Sequence, residues 1–244
     1  MVAALHGLAL RPPASGLHER QMSLARLLDV IANLDMELGQ PLLSIDAAGR
    51  AHALYRSLGH PAGVVHALQV AAHAHGQLEQ VRRAADLAAR AHVLCDADRA
   101  LRRGWRRALL VGVRGQRESK LGRYALAERR LEQAQRACEE AGVDQWAAIW
   151  AGRRAENAIA ARQLWMAERH LDRAHELGRD PRTTVPHRAA TVRITAHFLA
   201  LTRPSEAIAW AREGQRIGVE KGMANQLRLM RPIFDLLGME PGID

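Results

Sequence analysis

An all-α solenoid of stacked helical hairpins is the fold class this sequence predicts, and three observations predict it. A triplet of small or short apolar residues recurs as Ala127/Leu131/Ala134, Ala167/Leu171/Ala174 and Ala207/Ala211/Gly214, with the first members 40 residues apart. The i, i+4, i+7 spacing puts each triplet on one stripe of a helix, where small side chains let neighbouring helices approach closely. Glycines close most of the expected helices, in Leu58-Gly59, Ala141-Gly142, Leu177-Gly178 and Lys221-Gly222, where a left-handed residue is needed. Finally, apolar residues make up 48% of the 244 and aromatics only 4%, so a substantial core is available while strand-favouring runs are scarce.

The elements follow in chain order. Residues 1–20 read as an N-terminal stub, a frayed or remnant helix: Val2 to Leu10 is apolar but lacks a basic leader region and runs into Arg11-Pro12-Pro13. Repeats fill 21–222. Two weaker copies of the triplet, Ser44/Ala48/Ala51 and Val81/Ala85/Ala88, give anchors at 44, 81, 127, 167 and 207, separated by 37, 46, 40 and 40. A glycine turn introduces second helices, as in Gly122-Arg123-Tyr124-Ala125-Leu126-Ala127 and Gly76-Gln77-Leu78-Glu79-Gln80-Val81. Residues 223–244 form a cap and tail, with a helix over Met223 to Leu237 whose Leu227, Met230, Phe234 and Leu237 seal the last apolar face. About five hairpins and a capping helix result, most simply as one elongated structural unit.

The Gly-x-Tyr-x-x-Ala run at 122–127, the alanine pair seven apart in the second helices, and a small residue twelve positions before several anchors (Ala32, Gly115, Ala155, Thr195) resemble the tetratricopeptide repeat (TPR) family over about residues 25–222. The family's early Trp and late Pro are missing from most units, and a 40-residue unit exceeds the usual length of about 34. Longer units of this kind are similar to the repeat regions of bacterial signal-transduction ATPases and peptide-sensing transcription regulators, and Ala53-Leu54-Tyr55-Arg56-Ser57-Leu58-Gly59 has that character. The resemblance implies a right-handed superhelix whose first helices line a concave groove. Transferring its register exposes Arg26, Asp29, Asn33, Met36 and Glu37 in the first unit, Leu109, Gly112, Gln116, Ser119 and Lys120 in the third, and Ile149, Gly152, Glu156, Ile159 and Ala160 in the fourth. Of the Lys/Asn pairs that clamp a C-terminal carboxylate in some members, only Asn33 has a counterpart among Asp29/Asn33, His66/Val70, Gly112/Gln116 and Gly152/Glu156. A chaperone-tail clamp is therefore not expected, and a mixed, partly apolar groove favours an internal helix or an extended peptide.

Net charge is +9 and the sequence pI about 10.9. Only Lys120 and Lys221 stand against thirty-three arginines, a skew that GC-rich codons produce by themselves. Distribution says more: between Arg99 and Arg130 eleven basic residues face Glu118 and Glu128. Arg99, Arg102, Arg103, Arg106 and Arg107 recur at 3 and 4, so a helix over Ala100 to Lys120 carries one basic stripe that Arg114 and Arg117 extend. Three readings stay open: a solvated face, a surface for an acidic protein partner, or a phosphate track for nucleic acid. Single-strand binders interleave stacking rings with basic residues, and only Trp105 sits in the stripe. Trp146, Trp150 and Trp165 read as inter-helix core packing, with a groove anchor as the other possibility.

No run of eighteen uncharged apolar residues exists, so no transmembrane helix is expected. The phosphate loop, the Gly-x-Ser-x-Gly elbow, His-Glu-x-x-His and Cys-x-x-Cys are all absent, and no enzymatic activity is expected. Cys95 and Cys138 lack a partner motif and read as buried small residues in a cytoplasmic protein. His73 and His75 point about 200° apart on a helix, so no metal site is expected, nor any cofactor. The expected function is a non-enzymatic scaffold or sensory module binding a protein or peptide segment in bacterial regulation. The alternative is a nucleic-acid-associated protein using the stripe. The candidate binding residues are Arg99, Arg103, Arg106, Arg114, Gln116, Arg117, Lys120, Asn33 and Glu156.

Overall fold

A computed structural model describes residues 16–103, 105–179 and 183–240, with the side chains at 37, 102, 103, 105 and 106 outside that set. Residues 1–15 of the expected stub therefore lie outside the described residues. All regular structure among the described residues is helical: α1 Leu17–Glu37, α2 Pro41–Ser57, α3 Pro61–Gln77, α4 Val81–Ala97, α5 Arg99–Arg103, α6 Trp105–Lys120, α7 Tyr124–Glu140, α8 Asp144–Ala160, α9 Leu164–Leu177, α10 Val185–Thr202, α11 Pro204–Glu220 and α12 Ala224–Leu237.

The 40-residue repeat is twice a 20-residue half-repeat. Helices α2, α3, α4, α7, α8 and α11 each have 17 residues. After most helices the chain turns through one left-handed residue, at 39, 59, 79, 122, 142, 162, 222 and 238. The hydrogen bonding there is that of a Schellman cap. Gly142 N–H donates to Glu139 O at 3.0 Å and Val143 N–H to Cys138 O at 2.9 Å, and the same pair recurs at Gly59/His60 and Gly222/Met223. The last carbonyls of one helix are thus satisfied by the residues that start the next. Gly178 departs from the expectation: its φ is −73°, and the helix ends there without a left-handed residue.

Two left-handed positions carry side chains, Glu79 at φ 60° and Arg162 at φ 58°. An L-residue in that region costs about 1–2 kcal/mol, and glycine's extra unfolded-state entropy offsets about half of it. Arg162→Gly is therefore expected to raise stability by about 0.5–1 kcal/mol in urea unfolding, and Gly142→Ala to lower it by a similar amount. An Arg162→Gly variant less stable than wild type would refute this account.

The predicted stripes are buried. Ala127, Leu131, Ala134, Ala167, Ala174, Ala207 and Ala211 are fully enclosed, as are Ala48 and Ala51. The second copy is corrected: Val81 is 55% exposed, and α4 buries Ala84, Ala88, Ala91 and Cys95 instead. The true anchor is residue 84, so the spacings become 40, 43, 40 and 40. Sequence alone admitted both registers because α4 is alanine-rich on two faces, and only contact with α3 chooses between them. The corrected register supplies the missing small residue twelve positions earlier, Ala72, which is fully buried.

In place of one continuous unit, the helices form two compact ones. The first holds the described residues up to Met36 and Gln40–Arg102; the second holds Glu37–Gly39 and Arg103 onward. The division falls where the period stretches to 43. There α4 ends on Asp98 in extended backbone (φ −94°, ψ 120°), and the Asp98 carboxylate caps α5 through Ala100 and Leu101 N–H at 2.8 and 3.0 Å.

In the second unit the first helices of successive hairpins pack on one another, α6 on α8, α8 on α10 and α10 on α12. Close approach depends on glycine. A Cβ on Gly112 would sit 2.6 Å from the Trp150 ring, and one on Gly115 would sit 2.8 Å from Leu131 Cγ and 3.1 Å from Ala127 O. Second helices α7 and α9 are tied by long ionic side chains: Arg173 bonds Glu139 at 3.1 Å, and His170 lies 3.3 Å from Glu128, which also takes Arg154. The C-terminal α12 closes the apolar face as expected, with Met230, Ile233 and Phe234 buried and Leu227 against Gly218. Trp150 is core and stacks with Trp146 at 6.4 Å, but Trp165 is 63% exposed beneath Arg169, contrary to its expected burial. Its place at the start of α9 points it away from the α8 interface. Cys95 and Cys138 are buried thiols, and Cys95 Sγ–H donates to Leu101 O at 3.5 Å.

Candidate functional site

The residues of the expected basic stripe fall in both units. Arg99 is exposed on α5 in the first unit, Arg114, Arg117 and Lys120 belong to α6 in the second, and the side chains of Arg103 and Arg106 lie outside the described residues. Arg123 and Arg130 share the Glu118 carboxylate, at 3.3 and 3.0 Å, and the Glu118 side chain is largely buried.

What the second unit does assemble is a cationic cluster on its layer of first helices. Glu156 on α8 is its centre: Arg153 Nη1 donates to Oε2 at 2.5 Å, and Arg193 Nη2 from α10 donates to Oε1 at 2.5 Å. Burial would raise this carboxyl; the two guanidinium groups overcome that and hold it down to about 2. Lys120, from the last turn of α6, faces Arg153, Arg117 and Arg228 with Glu156 as the carboxylate among them; partial desolvation and those cations lower its pKa. Burial and then Arg193 lower His197, with Glu156 acting against them. His187, packed 5.3 Å from Trp146, is held at about 4 by burial and then by Arg153. Arg153, Arg193, Lys120 and Arg228 therefore gather around a single carboxylate, and burial holds the imidazoles beside them below their ordinary range.

Of the nine candidate residues, the structure brings Lys120, Arg117 and Glu156 together. Gln116 and Arg114 are half-buried on the same α6. Asn33 lies in the first unit, where its Nδ2 donates to Asp29 O at 2.7 Å. Asp29, expected in the groove, is buried and accepts the Tyr55 hydroxyl at 2.8 Å; burial raises its carboxyl. The apolar groove positions Leu109 and Ile159 are buried between helices, and Gly112 and Gly152 are buried with them. Of the remaining groove positions in the second unit, Lys120 and Ala160 are exposed and Gln116, Ser119, Ile149 and Glu156 are half-buried, so the face is mixed. Arg153, Arg193, His197 and Arg228 were missed because they fall outside the transferred groove positions. One signal was available: Arg153 and Arg193 stand 40 residues apart, at the same place in consecutive first helices.

Two surface depressions, of about 560 and 380 Å³, run along α11 beside Ser205, Ile208 and Arg212 and along α7 beside Arg129 and Gln133, and neither is lined by the cluster. No helix among the described residues is long and apolar enough to cross a membrane.

These features define a class: the fold is that of the TPR-like helical-repeat proteins, with a cationic first-helix layer in the second unit. Solved structures of similar fold include aspartyl phosphate phosphatase F from Bacillus subtilis (TM-score 0.63, 13% identity, 92% of this chain and 57% of that one). BtubC (BKLC) from P. vanneervenii matches at TM-score 0.61 and 16% identity, covering 90% of this chain and 87% of its own. A Rap protein complexed with Competence and Sporulation Factor matches at 0.60 and 16%, covering 88% and 64%. This chain thus spans under two thirds of the phosphatase and of the Rap protein. No family model and no curated protein sequence matches it.

Proposed function

We propose that this chain is a non-enzymatic scaffold or sensory module that binds a protein or peptide segment on the first-helix layer of its second unit, in the bacterial cytoplasm and in the service of regulation. The observation that carries the reading is the convergence of Lys120 from α6, Arg153 and Glu156 from α8, and Arg193 from α10 on one face. Groups drawn from separate repeats are how a solenoid reads a chain laid across it. Likeness to a Rap protein solved with Competence and Sporulation Factor supports a ligand carried by this kind of fold. Likeness to a protein named as a phosphatase carries no activity across at 13% identity.

The test is selection from a displayed random-peptide library. Enriched peptides are expected to be released by Lys120→Ala with Arg153→Ala and retained by Arg136→Ala, which removes an exposed guanidinium from α7. No enrichment above bare resin would sink the reading.

A further inference from the structure

We infer that the cluster around Glu156 is a subsite for two adjacent carboxylates of an acidic peptide, and that Glu156 is a built-in competitor standing where one ligand carboxylate would bind. The inference rests on the proposed peptide-binding function and names the chemistry of its partner. Each guanidinium has five N–H donors, and Arg153 and Arg193 each give Glu156 a short bond from one nitrogen. Arg193 is 9% exposed in its side chain, yet its buried Nε has no hydrogen-bond partner. Such an orphaned donor beside a carboxylate is unusual in a finished structural ion pair and suits a site awaiting a further acceptor. Lys120 and Arg228 add charge from α6 and α12, so these four cations outnumber the Glu156 carboxylate by about three when it is ionised.

Two observations choose the ligand. The cluster lies on an open face, where a lone small anion would be screened by solvent, so the charge must be carried on a chain that makes other contacts. Among the described side chains the cluster offers no open ring on which a nucleic acid could stack: Trp150 is buried, and the half-buried Trp146 packs on Trp150 and His187. Guanidinium forks match carboxylates bidentately, and a pair of them matches adjacent Asp or Glu side chains.

Fluorescence anisotropy on the full chain tests this with a labelled Ser-Gly-Asp-Asp-Gly-Ser peptide, its Asn-Asn counterpart, inorganic phosphate and oligothymidylate as competitors. The acidic peptide is expected to bind at least tenfold tighter than the Asn-Asn peptide. Lys120→Gln with Arg228→Gln, both exposed positions, is expected to weaken it about tenfold, and Glu156→Gln to tighten it about fivefold. Equal binding of the two peptides, unchanged or weakened binding to Glu156→Gln, or displacement by phosphate or oligothymidylate at lower concentration than by the unlabelled acidic peptide would each overturn the inference. Library selection yielding apolar or basic peptides released by the Lys120/Arg153 substitutions would overturn it while leaving peptide binding standing.

Discussion

Trp150→Ala is expected to destabilise the second unit by about 3–5 kcal/mol, the largest single-residue effect this fold predicts. The indole is 3% exposed and fills the space between α6 and α8, with Gly112 beneath it. Gly112→Ala alone drives a Cβ to 2.6 Å from the ring and should cost about 1–3 kcal/mol through overpacking. In the double variant the added methyl enters the cavity that the indole vacated. The combined loss is therefore expected to fall short of the sum of the two by at least about 1 kcal/mol. Additive losses would mean that the glycine is there for some other reason than the ring. All five tryptophans, at 105, 146, 150, 165 and 210, fall in the second unit, so their fluorescence follows that unit alone while circular dichroism follows both. Trp150→Ala should shift the fluorescence transition to lower denaturant and leave a part of the ellipticity change where it was. One shared, equally shifted transition would show that the two units unfold as one.

Glu156→Gln is expected to cost on the order of 2 kcal/mol at pH 7 and to remove a specific acid sensitivity. In the folded chain Arg153 and Arg193 hold this carboxyl at about 2, whereas an unfolded glutamate titrates near 4.5. The folded value is the lower one, so the contribution is complete above about pH 4.5 and is lost as pH falls toward 2. The full shift would correspond to about 3 kcal/mol, and solvent screening of a side chain that is 27% exposed reduces it to about 2 kcal/mol. Stability of wild type and variant, measured in urea at pH 7, 4 and 2, should differ most at pH 7 and approach convergence only at pH 2. A difference independent of pH would show that the ion pair is not what the carboxylate contributes. The Gln variant also strips the cluster of its internal counter-charge, which is why its anion affinity is expected to rise while its stability falls.

Much of the fold was legible because it is written in a short period. Small residues every 40 positions, glycines at the turns and an apolar α12 all report local geometry: helix stripes, left-handed caps and a sealed end depend on residues within a turn or two of one another. The cluster around Glu156 was only half legible. Lys120 and Glu156 were reachable by transferring a groove register and Arg117 by the basic stripe, but Arg153 and Arg193 sit one place beyond the register, and an arginine-rich chain offers no contrast to pick them out.

By itself the sequence determined the class of fold, the length of the repeat, the buried alanine stripes of four of the five second helices and the helix that closes the end. Tertiary structure alone decided that α4 buries Ala84 rather than Val81, that Trp150 enters the core while Trp165 does not, that the chain divides at Arg102, and that Arg153 and Arg193 meet on Glu156. The reason is common to all four. A helix with two alanine faces, or one with charge on several sides, is locally equivalent in each orientation, and only the surface it packs against can break the tie.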